Sequence, residues 1–471
     1  MHKMTCRIHE LPYFEDSAGL FMPWADRRWA VFLDSGLAHE QQGRYDIIAA
    51  EPVCTLVTRG NLTEIRAEGN ITLSPEDPFT LVRRCLGDEA PSIPGLPFCG
   101  GAIGYFAYDL ARRVEVLPER AAAEENIPDM VVGIYDWAVV VDHHERRSWL
   151  VGQGRDPATF ARWPHLIQAF SQVQTMPWQL ADFQVLGEVS ADMSRARYGR
   201  AFDRIQHYIR EGDCYQVNLT QRFSAYCKGN PWFAYQSLRH INPAPFSAYL
   251  NLPQVQLLSS SPERFLKCVE RCVETKPIKG TRPRSPNPAV DQAQLEELRG
   301  SSKDRAENLM IVDLLRNDIG RNCQPGSVHV PGLFEVESYA TVHHLVSTVR
   351  GKLAQGSHVL DLLRGCFPGG SITGAPKIRS MQIIEELEPC RRGVYCGSIG
   401  YVGYDGAMDS NIAIRTLVHS DGRIRFWAGG GIVVDSDQEQ EYQECYHKAA
   451  AMLHLLEQFK VKRTGADHVG R

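Results

Sequence analysis

The stretch from Phe246 to Arg284, FSAYLNLPQVQLLSSSPERFLKCVERCVETKPIKGTRPR, decides the fold class. It holds three runs rich in apolar, aromatic and β-branched residues: Phe246 to Leu252, Gln256 to Ser260 and Phe265 to Pro277. Short breaks separate them, as between strands of one sheet. Upstream, Tyr198, Phe202, Ile205 and Ile209 recur at helical spacing before Gly212, and Tyr215 to Phe223 reads as another strand. Downstream, helical patterns cover Ala293 to Arg316, Ile378 to Leu387 and Glu439 to Lys460. Tyr404-Asp405-Gly406 and Ser420-Asp421-Gly422 are hairpin turn signals. The N-terminal third adds strands at Trp29 to Leu33, Ile47 to Val57, Leu62 to Leu73 and Val131 to Val141, with one helix near Phe79 to Leu86. Hairpins mixed with separate helices argue for an α+β fold with antiparallel sheets. The expected divisions are a β-rich region at 1–152, a connecting segment at 153–195, a larger region at 196–462, and a disordered polar tail at 463–471.

Bulk properties narrow the function. A chain of 471 residues can bury a large core, and 43% hydrophobic with 23% charged residues is ordinary for a globular protein. A net charge of -5 gives no reason to expect nucleic acid as a partner. No apolar run is long enough to span a membrane, and the first ten residues lack a signal peptide's apolar stretch. The thirteen cysteines have no zinc-type spacing; Cys268 and Cys272, the closest pair, read as reduced, half-buried strand residues. A cytoplasmic protein is expected.

Lys279 stands between Ile278 and Gly280 in the run Lys276 to Arg284. A lysine amine becomes a nucleophile when desolvation or neighbouring cations lower its pKa, and Lys276, Arg282 and Arg284 are expected to do so here. Glu263 offers a carboxyl as its acid/base partner. Taken alone, such a basic run is more often a solvated loop. Asp304 with Glu307, and Glu441 with Glu444, sit three apart on predicted helices, so each pair shares a face. Tyr442, Ala449, Leu453, Leu456 and Phe459 form the opposite, apolar stripe of the last helix. An acidic helix face is usually just solvated.

These segments together resemble the chorismate-utilising enzymes. The resemblance rests on Pro277 to Thr281, Ser261 to Phe265, Lys303 to Met310, Asp313 to Arg321, His343 to Ser347, Pro368 to Lys377 and Ala428 to Val434. It implies two stacked antiparallel sheets with helices outside and an active-site cleft, as in anthranilate synthase large subunits, with 196–462 as the chorismate-binding catalytic region. Within that family, a lysine in the Pro-Ile-X-Gly-Thr slot is similar to the aminodeoxychorismate-forming branch; anthranilate-forming relatives usually carry alanine there. Phe32 to Ser35, Arg44 to Ile47 and Gly133 to Trp137 are similar to that branch as well.

The resemblance also implies roles. Chorismate would be aminated to 4-amino-4-deoxychorismate, a step toward 4-aminobenzoate and folate, with Lys279 as covalent nucleophile and Glu263 as general acid. His344 would support them by orienting the leaving hydroxyl or shuttling a proton, its pKa lying near neutrality. Arg415, expected on a strand, would fork a substrate carboxylate, aided by Tyr395, Lys448 and the amides near Gly429 and Gly431. Ser371 and Thr373 would receive oxygens or cap the following helix. Magnesium is the implied cofactor, with Glu307 and Glu444 as direct ligands and Asp304 and Glu441 acting through water. Gln216 stands where water-adding relatives carry lysine. The chain shows no glutaminase apparatus, so a separate glutamine amidotransferase is the implied ammonia source. Ser35, Asn242, Pro243 and Phe246 correspond to a tryptophan pocket in relatives; a packed hinge and an Asn-Pro turn explain them equally well. An anthranilate-forming enzyme and a non-catalytic chorismate- or tryptophan-binding subunit remain the alternatives.

Overall fold

The computed structural model describes residues 6–36, 43–172, 182–339 and 342–461. Its strands form two large antiparallel sheets. In the first, N-terminal strands including Tyr45–Ala49 and Ala30–Asp34 continue into Phe246–Leu252, Val255–Ser261, Thr416–Ser420, Arg423–Ile432 and Gln216–Gly229. In the second, Ile278–Pro283, Val342–Lys352, Cys272–Thr275, Arg264–Val269, Met408–Asn411 and Ser398–Gly403 continue into Gly101–Phe106, Met130–Tyr135 and Cys54–Arg59. Each sheet therefore contains strands from both sides of the expected 153–195 connection. That division follows chain order while both sheets run across it. The tail expected at 463–471 lies outside the described residues.

Side-chain alternation explains how the sheets stack. Val31, Ile47, Ala49, Val140 and Val418 of the first sheet share one apolar cluster with Leu56, Ile103 and Leu266 of the second. Their neighbours Phe32, Ile48, Val139 and Leu417 point the other way, into a cluster beneath the helices Pro231–Ile241 and Gln438–Gln458. Strands buried on both faces read as unbroken apolar runs, because period 2 places every residue in one core or the other.

Those unbroken runs conceal breaks. Val131 to Val141 is two strands in different sheets, Met130–Tyr135 and Trp137–Asp142, and Ile47 to Val57 likewise divides into Tyr45–Ala49 and Cys54–Arg59. Phe265 to Pro277 is a hairpin, Arg264–Val269 with Cys272–Thr275, turning at Glu270 and Arg271 with φ of 49° and 64°. Neither residue is one of the usual left-handed turn formers, so no turn signal stood out. Of the closest cysteine pair, Cys268 is buried and Cys272 exposed; all thirteen cysteines are free. The helix expected over Ala293 to Arg316 is two, Pro288–Gly300 and Ser302–Gly320, and the Ser301 side chain caps the second by accepting from the Asp304 N–H. Among the described residues no helix is long and apolar enough to cross a membrane.

Candidate active site

Two connections carry the chain between the sheets at one place. Pro262 and Glu263 link Val255–Ser261 of the first sheet to Arg264–Val269 of the second, and residues 412–415 return from Met408–Asn411 to Thr416–Ser420. The Ile412 N–H donates to the Glu263 carbonyl at 3.0 Å, pinning the crossings together. A cleft of about 760 Å3 opens beside them, with Glu263, Lys279, Glu307, His344, Arg415 and Lys448 in its wall.

A β-bulge places the lysine. Ile278 pairs with Val346 and Thr281 with His344, so Lys279 and Gly280 together face Leu345 alone. Gly280 has φ of 79°, and a Cβ there would lie 2.8 Å from Leu298 Cδ1 and 2.9 Å from Asp304 Cγ. Only glycine meets both demands. Lys279 is half-buried as a residue, but its amine is enclosed, and burial lowers its pKa against the opposing charges of Glu307 and Glu263. Lys276, Arg282 and Arg284, expected to lower that pKa, are instead paired with carboxylates. Lys276 pairs with Glu337 at 2.7 Å, Arg282 with Glu297 and Asp304, and Arg284 with Asp291 at 2.9 Å. Each spends its charge on a carboxylate; the cation that helps lower Lys279 is Lys448.

Glu263 is buried, and burial raises its pKa despite the Ser371 hydroxyl and the Lys279 charge. Ser371 joins the two groups: its hydroxyl donates to Glu263 Oε1 at 2.7 Å and its carbonyl accepts from Lys279 Nζ at 3.3 Å. Thr373 is not in the cleft wall. Its hydroxyl donates to the Gly369 and Gly370 carbonyls and fastens the turn, while the next helix, Lys377–Leu387, has no side-chain cap.

His344 hydrogen-bonds Thr281 Oγ1 through Nδ1 at 2.8 Å. Burial, with Arg415 nearby, pushes its pKa down to about 4 instead of near neutrality, so it acts as a neutral hydrogen-bonding group. Arg415 lies just before its strand with φ of 48°, not on it. It bonds Asn242 Oδ1 at 3.2 Å, and among the described residues no carboxylate pairs with it. Tyr395 stacks on Trp427 with centroids 5.9 Å apart, and both line the cleft with Gly429 and Gly431. Lys448 donates to the Gly429 carbonyl at 3.0 Å and pairs with Glu444 at 2.7 Å.

The acidic residues come from two helices. Glu307 and Asp304 project from Ser302–Gly320, Glu441 and Glu444 from Gln438–Gln458, and all four reach the cleft. Glu441 lies on the buried stripe with Cys445, Ala449 and Met452 and accepts from Ser436 Oγ at 2.7 Å. Asp304 is held by Arg282 at 3.1 Å. Burial and the Glu444 charge raise Glu307 and Glu441; burial also acts on Glu444, but Lys448 overrides it and keeps that carboxyl low. Among the described residues no three His, Cys, Asp or Glu side chains already converge at ligand spacing. Oxygen donors that repel one another across one cleft nonetheless suit a hard dication.

Three residues of this cleft escaped the sequence reading. Thr281 positions His344, Trp427 backs Tyr395, and Asn218 lies in the wall beside Ser371. Strand alternation from Gln216 was the available signal for Asn218. Gln216 itself is fully buried behind Asn218, to which its amide donates at 3.3 Å. The proposed tryptophan residues separate: Ser35 and Phe246 line a second cavity of about 550 Å3, Asn242 serves Arg415 and Ser260, and Pro243 is in neither wall.

The chain belongs to the chorismate binding enzyme family, whose model matches residues 34–454. It is 50% identical over 451 residues to aminodeoxychorismate synthase component 1 of Klebsiella aerogenes, covering 95% of this chain and 98% of that one. Against anthranilate synthase component 1 of Thermus thermophilus the identity is 40% over 444 residues, covering 93% and 94%. Among solved structures, anthranilate synthase component I from Streptococcus pneumoniae TIGR4 superposes with a TM-score of 0.77 at 31% identity, covering 88% of this chain and 93% of that one.

Proposed function

We propose that this chain aminates chorismate at C4, giving 4-amino-4-deoxychorismate, and that a glutamine amidotransferase partner supplies the ammonia. The observation that carries the reading is the facing pair, Lys279 with a lowered pKa and Glu263 with a raised one, joined through Ser371. The relatives with the highest listed identity bear the same activity in their name, and component 1 of a synthase implies a second component.

Burial of both groups favours an uncharged amine and a protonated carboxyl, the states this chemistry requires. The Lys279 amine bonds to ring C2 while the C4 hydroxyl leaves, taking the Glu263 proton and departing as water. The new ammonium gives a proton back to the Glu263 carboxylate. Ammonia then bonds to C4 and the C2–N bond breaks; the nitrogen that arrived loses one proton and the departing lysine nitrogen regains it. The sum is chorismate plus ammonia giving aminodeoxychorismate plus water. Covalent catalysis thus divides one hard substitution into two easier ones. Arg415 binds one substrate carboxylate by charge-assisted hydrogen bonds, and neutral His344 orients the departing hydroxyl. Glu307 and Glu444, with Glu441 beside them, would hold magnesium, which when bound neutralises charge so that a substrate carboxylate can enter among protein carboxylates.

The second cavity, with Ser35, Phe246 and the mutually paired Arg264 and Asp409 in its wall, is the candidate pocket for an aromatic amino acid such as tryptophan. The reading is tested by incubating the purified chain with chorismate, magnesium and an ammonium salt. A non-fluorescent product carrying nitrogen in place of the C4 oxygen is expected; fluorescent anthranilate as the main product would replace this reading with the alternative.

A further inference from the structure

We propose that Asn218 is a positioning residue that holds Lys279 and Glu263 in register by clamping the Ser371 peptide. This rests on the lysine-based reading of the cleft. Ser371 sits in the single turn Gly370–Ile372, and three successive carbonyls there accept from fixed donors. Asn218 Nδ2 donates to the Ser371 carbonyl at 3.1 Å, Arg392 Nη1 to that of Ile372 at 2.9 Å, and the Asn218 N–H to that of Thr373 at 2.9 Å. Arg392 also donates to the Asn218 carbonyl at 2.9 Å and is fully buried in an ion pair with Glu388 at 2.7 Å. Glu388 in turn accepts from the Thr220 N–H and hydroxyl at 2.9 and 2.8 Å, two residues along the Asn218 strand. The turn is therefore bolted to Gln216–Gly229, and Asn218 is the bolt whose cleft-lining side chain bonds the Ser371 carbonyl itself. The side chain itself is braced by Gln216.

The consequence is chemical. Lys279 and Asn218 share one carbonyl, and the same residue's hydroxyl aims the Glu263 carboxyl. With Asn218 donating, the carbonyl has less to offer an ammonium on Lys279. Without it, the charged amine is held better and the serine peptide can tilt, moving both reactive groups together.

The experiment compares wild type with Asn218→Ala and Asn218→Leu, the second keeping the approximate shape while removing the N–H and adding no charge. Acetic anhydride labelling of Lys279 against pH, read by peptide mass spectrometry, follows its protonation without turnover. Glu263, Glu307, Glu444 and Lys448, the charges facing that amine, are the same in all three proteins. We expect the labelling midpoint to move to higher pH in both variants, and kcat with ammonium to fall on the order of 100-fold with the chorismate KM little changed. A wild-type midpoint in a folded variant overturns the proposal, as does a joint loss of kcat and KM with the midpoint unmoved. Because labelling needs no substrate, its outcome stands even if wild type fails to aminate chorismate, which would instead refute the functional reading.

Discussion

Burial penalises whichever form of a group is charged, so the same enclosure that lowers Lys279 raises Glu263. Opposite shifts in two groups joined through one serine are a recognisable acid and nucleophile pair. Glu263→Gln keeps the size and removes the proton donor; we expect kcat to fall roughly 10²–10⁴-fold with the chorismate KM nearly unchanged, in steady-state assays with ammonium. His344 behaves differently. Its ordinary value is 6.5 and its folded value about 4, so the unfolded chain binds a proton first as pH falls through that window. The stability associated with neutral His344 is complete above about pH 6.5 and is lost toward pH 4, by up to roughly 3 kcal/mol. Urea midpoints for His344→Asn should therefore decline less steeply between those pH values than wild type; parallel declines would show that His344 titrates normally. The lysine and glutamate were legible from motif alone. Their electrostatics were not, because Lys276, Arg282 and Arg284 look like available charges until the carboxylates that neutralise them are in place.

Among the elements, the bulge in Ile278–Pro283 matters most for the site. Gly280→Ala would force a Cβ against Leu298 and Asp304 at a left-handed backbone position. A destabilisation of about 1–3 kcal/mol in urea unfolding, with loss of amination, is expected; wild-type stability would mean that the strand and the two helices above it can move apart. Most helices were readable because an amphipathic pattern repeats over several turns, as in Arg195–Arg210 and Gln438–Gln458. Strand ends were not, since Val131 to Val141 stays apolar while passing from one sheet core to the other, with Asp136 alone marking the crossing. Local pattern set Glu441 opposite the apolar stripe of the last helix, whereas the helix is buried along a stripe that includes it.

At the scale of the whole molecule, the site exists because chain crossings between the sheets meet two helices well separated in the sequence. Ser302–Gly320 and Gln438–Gln458 bring Glu307 and Glu444 to one cleft from distant parts of the sequence. Such convergence is invisible to local pattern, and only the resemblance pointed to it. Titration calorimetry should detect magnesium binding to the folded chain that is weakened by Glu307→Gln and by Glu444→Gln, and excess chelator should abolish turnover. Full turnover in chelator would remove the metal from the proposal.

The most direct measurement is the intact mass of the protein after incubation with chorismate and magnesium in the absence of any nitrogen donor, followed by rapid acid quench and peptide mapping. We expect a species heavier than the free chain by one chorismate less one water, mapped to Lys279, absent in Lys279→Ala and dispersed when ammonium is added. An unmodified Lys279 under conditions where the same preparation aminates chorismate on adding ammonium would contradict the covalent route.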